Sequence, residues 1–326
     1  MSAQAPARFA VTGRIPEPAL EVLREAGEVT AADSEAPLPR PELLELVAGA
    51  DAILTLLYDR VDDEFLAAAG PRLRCVANVA VGYDNVDLEA AARRGVAVTN
   101  TPGVLDDATA DLTLALILAA FRRLGEGDRL LRSGEPWAWS MSFLLGRDLR
   151  GKRLGIVGLG GIGGRVARRA RAFGMEIAYH GRREADPALV AELEAERLDL
   201  DDLLETSDVV SLHCPLTSET HHLISSSQLA RIKPGAILVN TARGPVVDEA
   251  ALLDALRDGP LAAAALDVYE HEPAVLPGLL ELDNVTLTPH LGSATVETRR
   301  AMAELAARNA IAAVRGERLP TPVRPG

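Results

Sequence analysis

Two cysteines in 326 residues, Cys75 and Cys214, are too few for a disulfide framework, and they lack metal-ligand spacing. Both sit inside apolar runs and read as small core residues, which suits a reducing compartment, the cytoplasm. Metal ligation is not expected. Positive charge is scarce as well: 34 Lys and Arg against 47 Asp and Glu leave a formal net charge of −13. Nucleic acid is therefore excluded as a partner, because phosphate binding calls for basic patches. No clean apolar run is long enough to span a membrane; the richest, Leu112 to Phe121, has about half the length required. The first eight residues carry no apolar signal core. Internal repeats and low-complexity linkers are also missing.

What remains is a chain that is 48% hydrophobic, enough for a sizeable core, and long enough for two domains. Strand-like runs at 9–13, 52–57, 74–79 and 96–100 alternate with helix-like segments at 18–26 and 63–69. One long helix is expected from Asp106 to about Leu131, followed by a polar loop with Trp137 and Trp139. The alternation restarts at Leu154, with further strands at 176–180, 208–213, 236–240, 261–268 and 285–288. This rhythm implies βαβ units and parallel sheets. Roughly six strands after residue 150 match a dinucleotide-binding sheet. An alanine-rich amphipathic helix, Thr295 to Val314, precedes a tail with Pro320, Pro322 and Pro325.

The run Arg153-Leu154-Gly155-Ile156-Val157-Gly158-Leu159-Gly160-Gly161-Ile162-Gly163-Gly164 ends a predicted strand in the G-x-G-x-x-G pattern, and a helix-like segment follows. Strand, tight turn and helix are the context in which this spacing means dinucleotide binding. Gly158 makes the turn, Gly160 lets backbone approach a pyrophosphate, and Gly163 lets helix and strand pack closely. The helix start then offers free N–H groups to the phosphates. An acid usually ends the second strand of an NAD site and holds the ribose 2′-OH. Here that strand ends in His180, and Gly181-Arg182-Arg183 follows. Two guanidinium groups suit a 2′-phosphate, so NADP(H) is expected to be preferred, with NAD(H) as the alternative.

Three segments place reactive side chains just after predicted strands: Asn240–Gly244, Leu266–Pro273 and Thr288–Ser293. Ligands of open parallel sheets bind outside the carboxyl ends of strands. Arg243, Glu272 and His290 are thus expected in one crevice, a set suited to reducing a small 2-oxo acid. Arg243 clamps a carboxylate and polarises the ketone, and His290 supplies the proton. Glu272 orients His290 and favours its imidazolium form. His213, His221, His222 and His271 read as structural or exposed.

These segments, with Asn78-Val79-Ala80-Val81-Gly82-Tyr83-Asp84-Asn85, Asn100-Thr101-Pro102-Gly103 and His213-Cys214-Pro215-Leu216-Thr217, resemble the D-isomer-specific 2-hydroxyacid dehydrogenases. The resemblance covers nearly the whole chain and is strongest to the glyoxylate/hydroxypyruvate reductases. It implies an α/β fold of two doubly wound parallel-sheet domains. A Rossmann-type cofactor domain, 102–293, is inserted into a flavodoxin-like substrate domain, 1–101 and 294–326. It implies that Val81 and Gly82 N–H groups hold the substrate carboxylate, and that Asp267 meets the nicotinamide carboxamide. Thr109 and Pro215 then line the cofactor cleft, with Gly161, Ile162, Thr241, Ala242 and Gly292 beside the cofactor. A homodimer through the cofactor domains is implied, with Trp139 reaching the partner's site. Broad 2-ketoacid reduction, D-3-phosphoglycerate oxidation and a nucleotide-sensing corepressor scaffold are the alternative readings.

Overall fold

The computed structural model describes residues 6–323, so Pro325 lies outside the described residues. The chain forms two compact units: one runs to Leu105 and resumes at Ala294, and the other is Asp106–Ser293. No helix among the described residues is long and apolar enough to cross a membrane.

The first unit holds five strands: β1 (Ala7–Val11), β2 (Gly27–Ala31), β3 (Ala52–Thr55), β4 (Cys75–Asn78) and β5 (Ala97–Thr99). They pair in the order β2-β1-β3-β4-β5, all parallel. β2 is absent from the sequence expectation. It is a mostly exposed edge strand, Gly-Glu-Val-Thr-Ala, with no apolar face to announce it. β3 and β4 are buried throughout, as the inner strands of a sheet covered on both faces must be. The Val296–Arg315 helix packs on β3 and β4. Thr295 caps its start by accepting from the Thr298 N–H, and Gly316 ends it at φ 70°.

The second unit holds seven strands where about six are expected: β6 (Arg153–Val157), β7 (Glu176–His180), β8 (Glu196–Arg197), β9 (Val209–Leu212), β10 (Ile237–Asn240), β11 (Ala263–Leu266) and β12 (Val285–Leu287). The extra one, β8, is two exposed charged residues on the edge, which no hydrophobic pattern marks. The order is β12-β11-β10-β9-β6-β7-β8, again with parallel pairing. Side chains alternate between two cores: Leu154, Ile156, Val209, Ile237 and Val239 on one face, Val157, Val210, Leu212 and Leu238 on the other. The strand order reverses between β6 and β9, which opens a crevice at their carboxyl ends.

The expected long helix from Asp106 is two helices, Asp106–Phe121 and Leu124–Ser133. Arg123 breaks it by adopting a left-handed backbone, φ 54°. Around the break the chain reads Phe121-Arg122-Arg123-Leu124-Gly125-Glu126-Gly127, where two glycines weaken the helical pattern.

Candidate active site

The turn after β6 meets the steric terms of its sequence. Gly158 has φ 100°, and a Cβ there would lie 2.9 Å from the His213 backbone carbonyl. A Cβ on Gly163 would sit 2.3 Å from Gly158 O, so the helix start cannot seat a larger residue. The outward side of Gly160, by contrast, meets nothing within 4 Å. Gly164 N–H donates to Gly160 O at 2.8 Å, while the N–H groups of Gly161, Ile162 and Gly163 take no partner among the described residues. Open space above unpaired donors at a helix start fits a dinucleotide pyrophosphate.

The loop after β10 is folded around the buried Asn240. Its amide donates to Arg243 O at 2.9 Å, and its carbonyl accepts from Ala242 N at 3.0 Å. These bonds turn the chain so that Arg243 leaves the strand end half-buried. Thr241 is fixed by a 2.9 Å hydroxyl contact with Thr113, whose hydroxyl also donates to Thr109 O. Thr109, Thr241 and Ala242 are thus gathered at one strand end.

Asp267, at the end of β11, is 1% exposed, and both its oxygens accept bonds. Oδ1 takes the Thr288 hydroxyl at 2.6 Å and Leu291 N–H at 2.7 Å; Oδ2 takes Gly292 N–H at 2.8 Å. The His290 N–H donates to Asp267 O at 2.8 Å, and His290 takes φ 53°. Asp267 therefore shapes the loop that presents His290. The buried Tyr269 hydroxyl donates to Thr288 O at 2.8 Å and tightens the same loop. Burial pushes this phenol up to about 12, so it stays a donor.

Glu272 meets His290 across this framework, its Oε2 2.8 Å from His290 Nδ1. Its Oε1 accepts the Tyr269 N–H at 3.0 Å. Burial works against ionisation of Glu272. The hydrogen bond and charge of His290, the Tyr269 N–H and the Arg243 cation outweigh it and hold the carboxyl below the usual range. Glu272 is thus anionic at neutral pH and can only accept in its bond with His290 Nδ1, which leaves Nε2 available to a second partner. An arginine near a histidine–carboxylate pair, in the unit that carries a dinucleotide turn, has the chemistry to reduce a carbonyl next to a carboxylate.

Comparison with known proteins agrees. Residues 114–292 match the family model described as D-isomer specific 2-hydroxyacid dehydrogenase, NAD binding domain. A glyoxylate reductase of Pyrococcus furiosus is 51% identical over 316 residues, 95% of this chain and 93% of that protein. The chain belongs to the D-2-hydroxyacid dehydrogenase family. Among solved structures, a protein of Thermus thermophilus matches with TM-score 0.90 and 48% identity, over 97% of this chain and 100% of that one. The NADPH-dependent glyoxylate/hydroxypyruvate reductase of Sinorhizobium meliloti, solved with NADP and malonate, matches at TM-score 0.85 and 36% identity, over 98% and 97% of the two chains.

The remaining residues of the dehydrogenase take these places. After β7, Arg182 and Arg183 are exposed, and Arg182 pairs with Glu219 at 2.6 Å. His180 directs Nδ1 to Leu198 O at 3.1 Å, and the strand end carries no acid. Pro215 is exposed, its carbonyl taken by the Thr220 hydroxyl. His213 bonds Ser211 through Nε2 at 2.8 Å, while its buried Nδ1 has no partner; burial pushes its pKa down to about 3, a neutral imidazole. Within the first unit, Val81 and Gly82 follow β4, where Asn100 and Asn78 hold their carbonyls at 2.8 and 2.9 Å. Neither N–H takes a partner among the described residues. Trp139 is 73% exposed.

Sequence reasoning missed Asn240 as the residue that folds the Arg243 loop, and Thr113 as the link between Thr109 and Thr241. It also gave Asp267 no part in shaping the His290 loop. A short polar residue closing a buried strand is the signal that could have flagged the first and third.

Proposed function

We propose that this dehydrogenase reduces glyoxylate and hydroxypyruvate to glycolate and D-glycerate, and that it prefers NADPH. The observation that carries this reading is the Glu272–His290 pair, held at 2.8 Å by a loop that Asp267 and Tyr269 fix in place. The names of the similar reductases point to the same substrates.

A reduced nicotinamide, when bound, would supply the hydride to the substrate's carbonyl carbon. Arg243 grips the substrate carboxylate and polarises the adjacent C=O through its fork of donors. His290, donating to Glu272 through Nδ1, gives its Nε2 proton to the carbonyl oxygen as the alkoxide forms. Glu272 remains the anion that steadies the imidazolium. Val81 and Gly82, with unpaired N–H groups, are assigned to the substrate carboxylate. Thr109, Pro215, Thr241, Ala242, Asp267 and Gly292 are assigned to the cofactor, together with the 158–163 turn.

Preference for NADPH rests on Arg182 and Arg183 and on the missing acid at His180. The Arg182–Glu219 pair is exposed and cheap to open. Each charge-assisted bond to a 2′-phosphate is worth about 1.5–3 kcal/mol, a roughly ten- to hundredfold effect. The Arg182→Ala, Arg183→Ala double variant should lose that much kcat/KM with NADPH and little with NADH. Retention of NADPH efficiency to within about twofold would defeat the assignment.

A homodimer is the second part of the proposal. Leu124, Leu131, Trp137, Trp139, Met141 and Leu145 are all more than half exposed and crowd into residues 124–145. Clustered exposed apolar side chains mark an interaction surface, and a second copy is the partner the family resemblance supplies. Trp139 is assigned to the partner's substrate site. Light scattering should give twice the 34.5 kDa chain mass, and a single-chain mass would rule the dimer out. The free thiols of Cys75 and Cys214 are pushed up to about 12 and about 11 by burial, which keeps them protonated and unreactive.

A further inference from the structure

A second group of donor side chains lies outside the catalytic pair, at the corner where the 217–222 turn meets the segment after β11. We propose that His221, His222 and Glu270 bind one divalent transition-metal ion, with zinc the best match to the donor set. Their ligand atoms all lie within 4.8 Å of one another. His222 Nε2 is 2.7 Å from Glu270 Oε1, and the two imidazole rings stand 4.1 Å apart between centroids at 31°. Zinc takes imidazole nitrogen and carboxylate oxygen at about 2.0–2.2 Å, so donors around a tetrahedral ion sit roughly 3.4 Å apart. The separations present, 2.7 Å for His222 and Glu270 and within 4.8 Å for the whole set, bracket that spacing. Two imidazoles and a carboxylate suit zinc, copper and nickel, and exclude calcium and magnesium, which want oxygen alone.

Two of the three donors are anchored by separate loops. His222 has φ 49°, and its N–H donates to Pro245 O at 2.8 Å. Glu270 N–H donates to Glu249 Oε1 at 2.7 Å. His221 is exposed and completes the set from the solvent side, leaving further coordination positions to water. The corner also favours a cation. Glu249 is buried beside Glu270, so a second carboxylate lies next to the donor set. The cluster joins residues 48 apart in the chain, so no ligand spacing in the sequence points to it.

The test is calorimetric titration of zinc chloride into the purified, chelator-treated full chain, without substrate or cofactor. Wild type should bind one equivalent, and so should His290→Ala. His221→Ala and Glu270→Gln should each bind at least tenfold more weakly. At the same zinc concentration the Tm of wild type should rise more than that of His221→Ala, since an ion that binds the native state stabilises it by mass action. His221 is exposed, so its alanine variant should keep the metal-free turnover of wild type. Undiminished binding in His221→Ala would overturn the proposal. So would the absence of saturable binding, or its loss in His290→Ala, which would place the ion on the Glu272–His290 pair. No substrate enters these titrations, so their failure leaves the reductase reading standing.

Discussion

His290→Ala should lower kcat for glyoxylate reduction by about 10²–10⁴-fold, the usual contribution of a positioned general acid. The Kd for NADPH should stay near the wild-type value, because the glycine turn and the 182–183 loop do not depend on the imidazole. The loss falls on kcat because the proton is needed only as negative charge grows on the carbonyl oxygen. The framework should survive the change. The Asp267 carboxylate receives Thr288, Leu291 and Gly292, and the residue 290 N–H still reaches Asp267 O. An unchanged Tm with collapsed kcat separates the chemical role from a structural one. A kcat within about threefold of wild type would remove His290 as the proton donor.

Arg243→Lys should lower kcat/KM by about 10²–10³-fold, the scale seen when one preorganised donor to a developing oxyanion is removed. Lysine keeps the charge but has no planar fork, so carboxylate and ketone oxygen cannot both be engaged in fixed geometry. Asn240 bonds Arg243 O and Ala242 N and keeps both bonds in the variant, so of the loop's own bonds only the guanidinium's 2.8 Å contact with Ala242 O is altered. Glu272 also keeps a neighbouring cation, so its carboxylate stays ionised. Steady-state kinetics with glyoxylate, set beside NADPH affinity, reads the effect. Full activity in the lysine variant would show that charge alone suffices.

Most of the second unit's sheet is visible in the chain because its strands are buried on both faces and read as short apolar runs ending in polar residues. The glycine turn is visible because Gly158 and Gly163 answer to sterics that no other residue meets. The pairing of Glu272 with His290 follows from their places after neighbouring strands, β11 and β12. Elements without a hydrophobic signature were hidden. β2 and β8 are exposed edges. Side-chain bonds that fold loops were hidden as well. Nothing local in Asn240-Thr241-Ala242-Arg243 says that Asn240 grips Arg243 O, nor does Asp267 announce three donors more than 20 residues away. Such contacts depend on which strands become neighbours, a property of the whole sheet.

The central claim is tested most directly by following oxidation of NADPH by the purified protein with glyoxylate, hydroxypyruvate and pyruvate in turn, and repeating each with NADH. Rapid turnover of the first two acids with NADPH, slower with pyruvate and with NADH, is the predicted result. Tight NADPH binding without turnover of glyoxylate or hydroxypyruvate would contradict it.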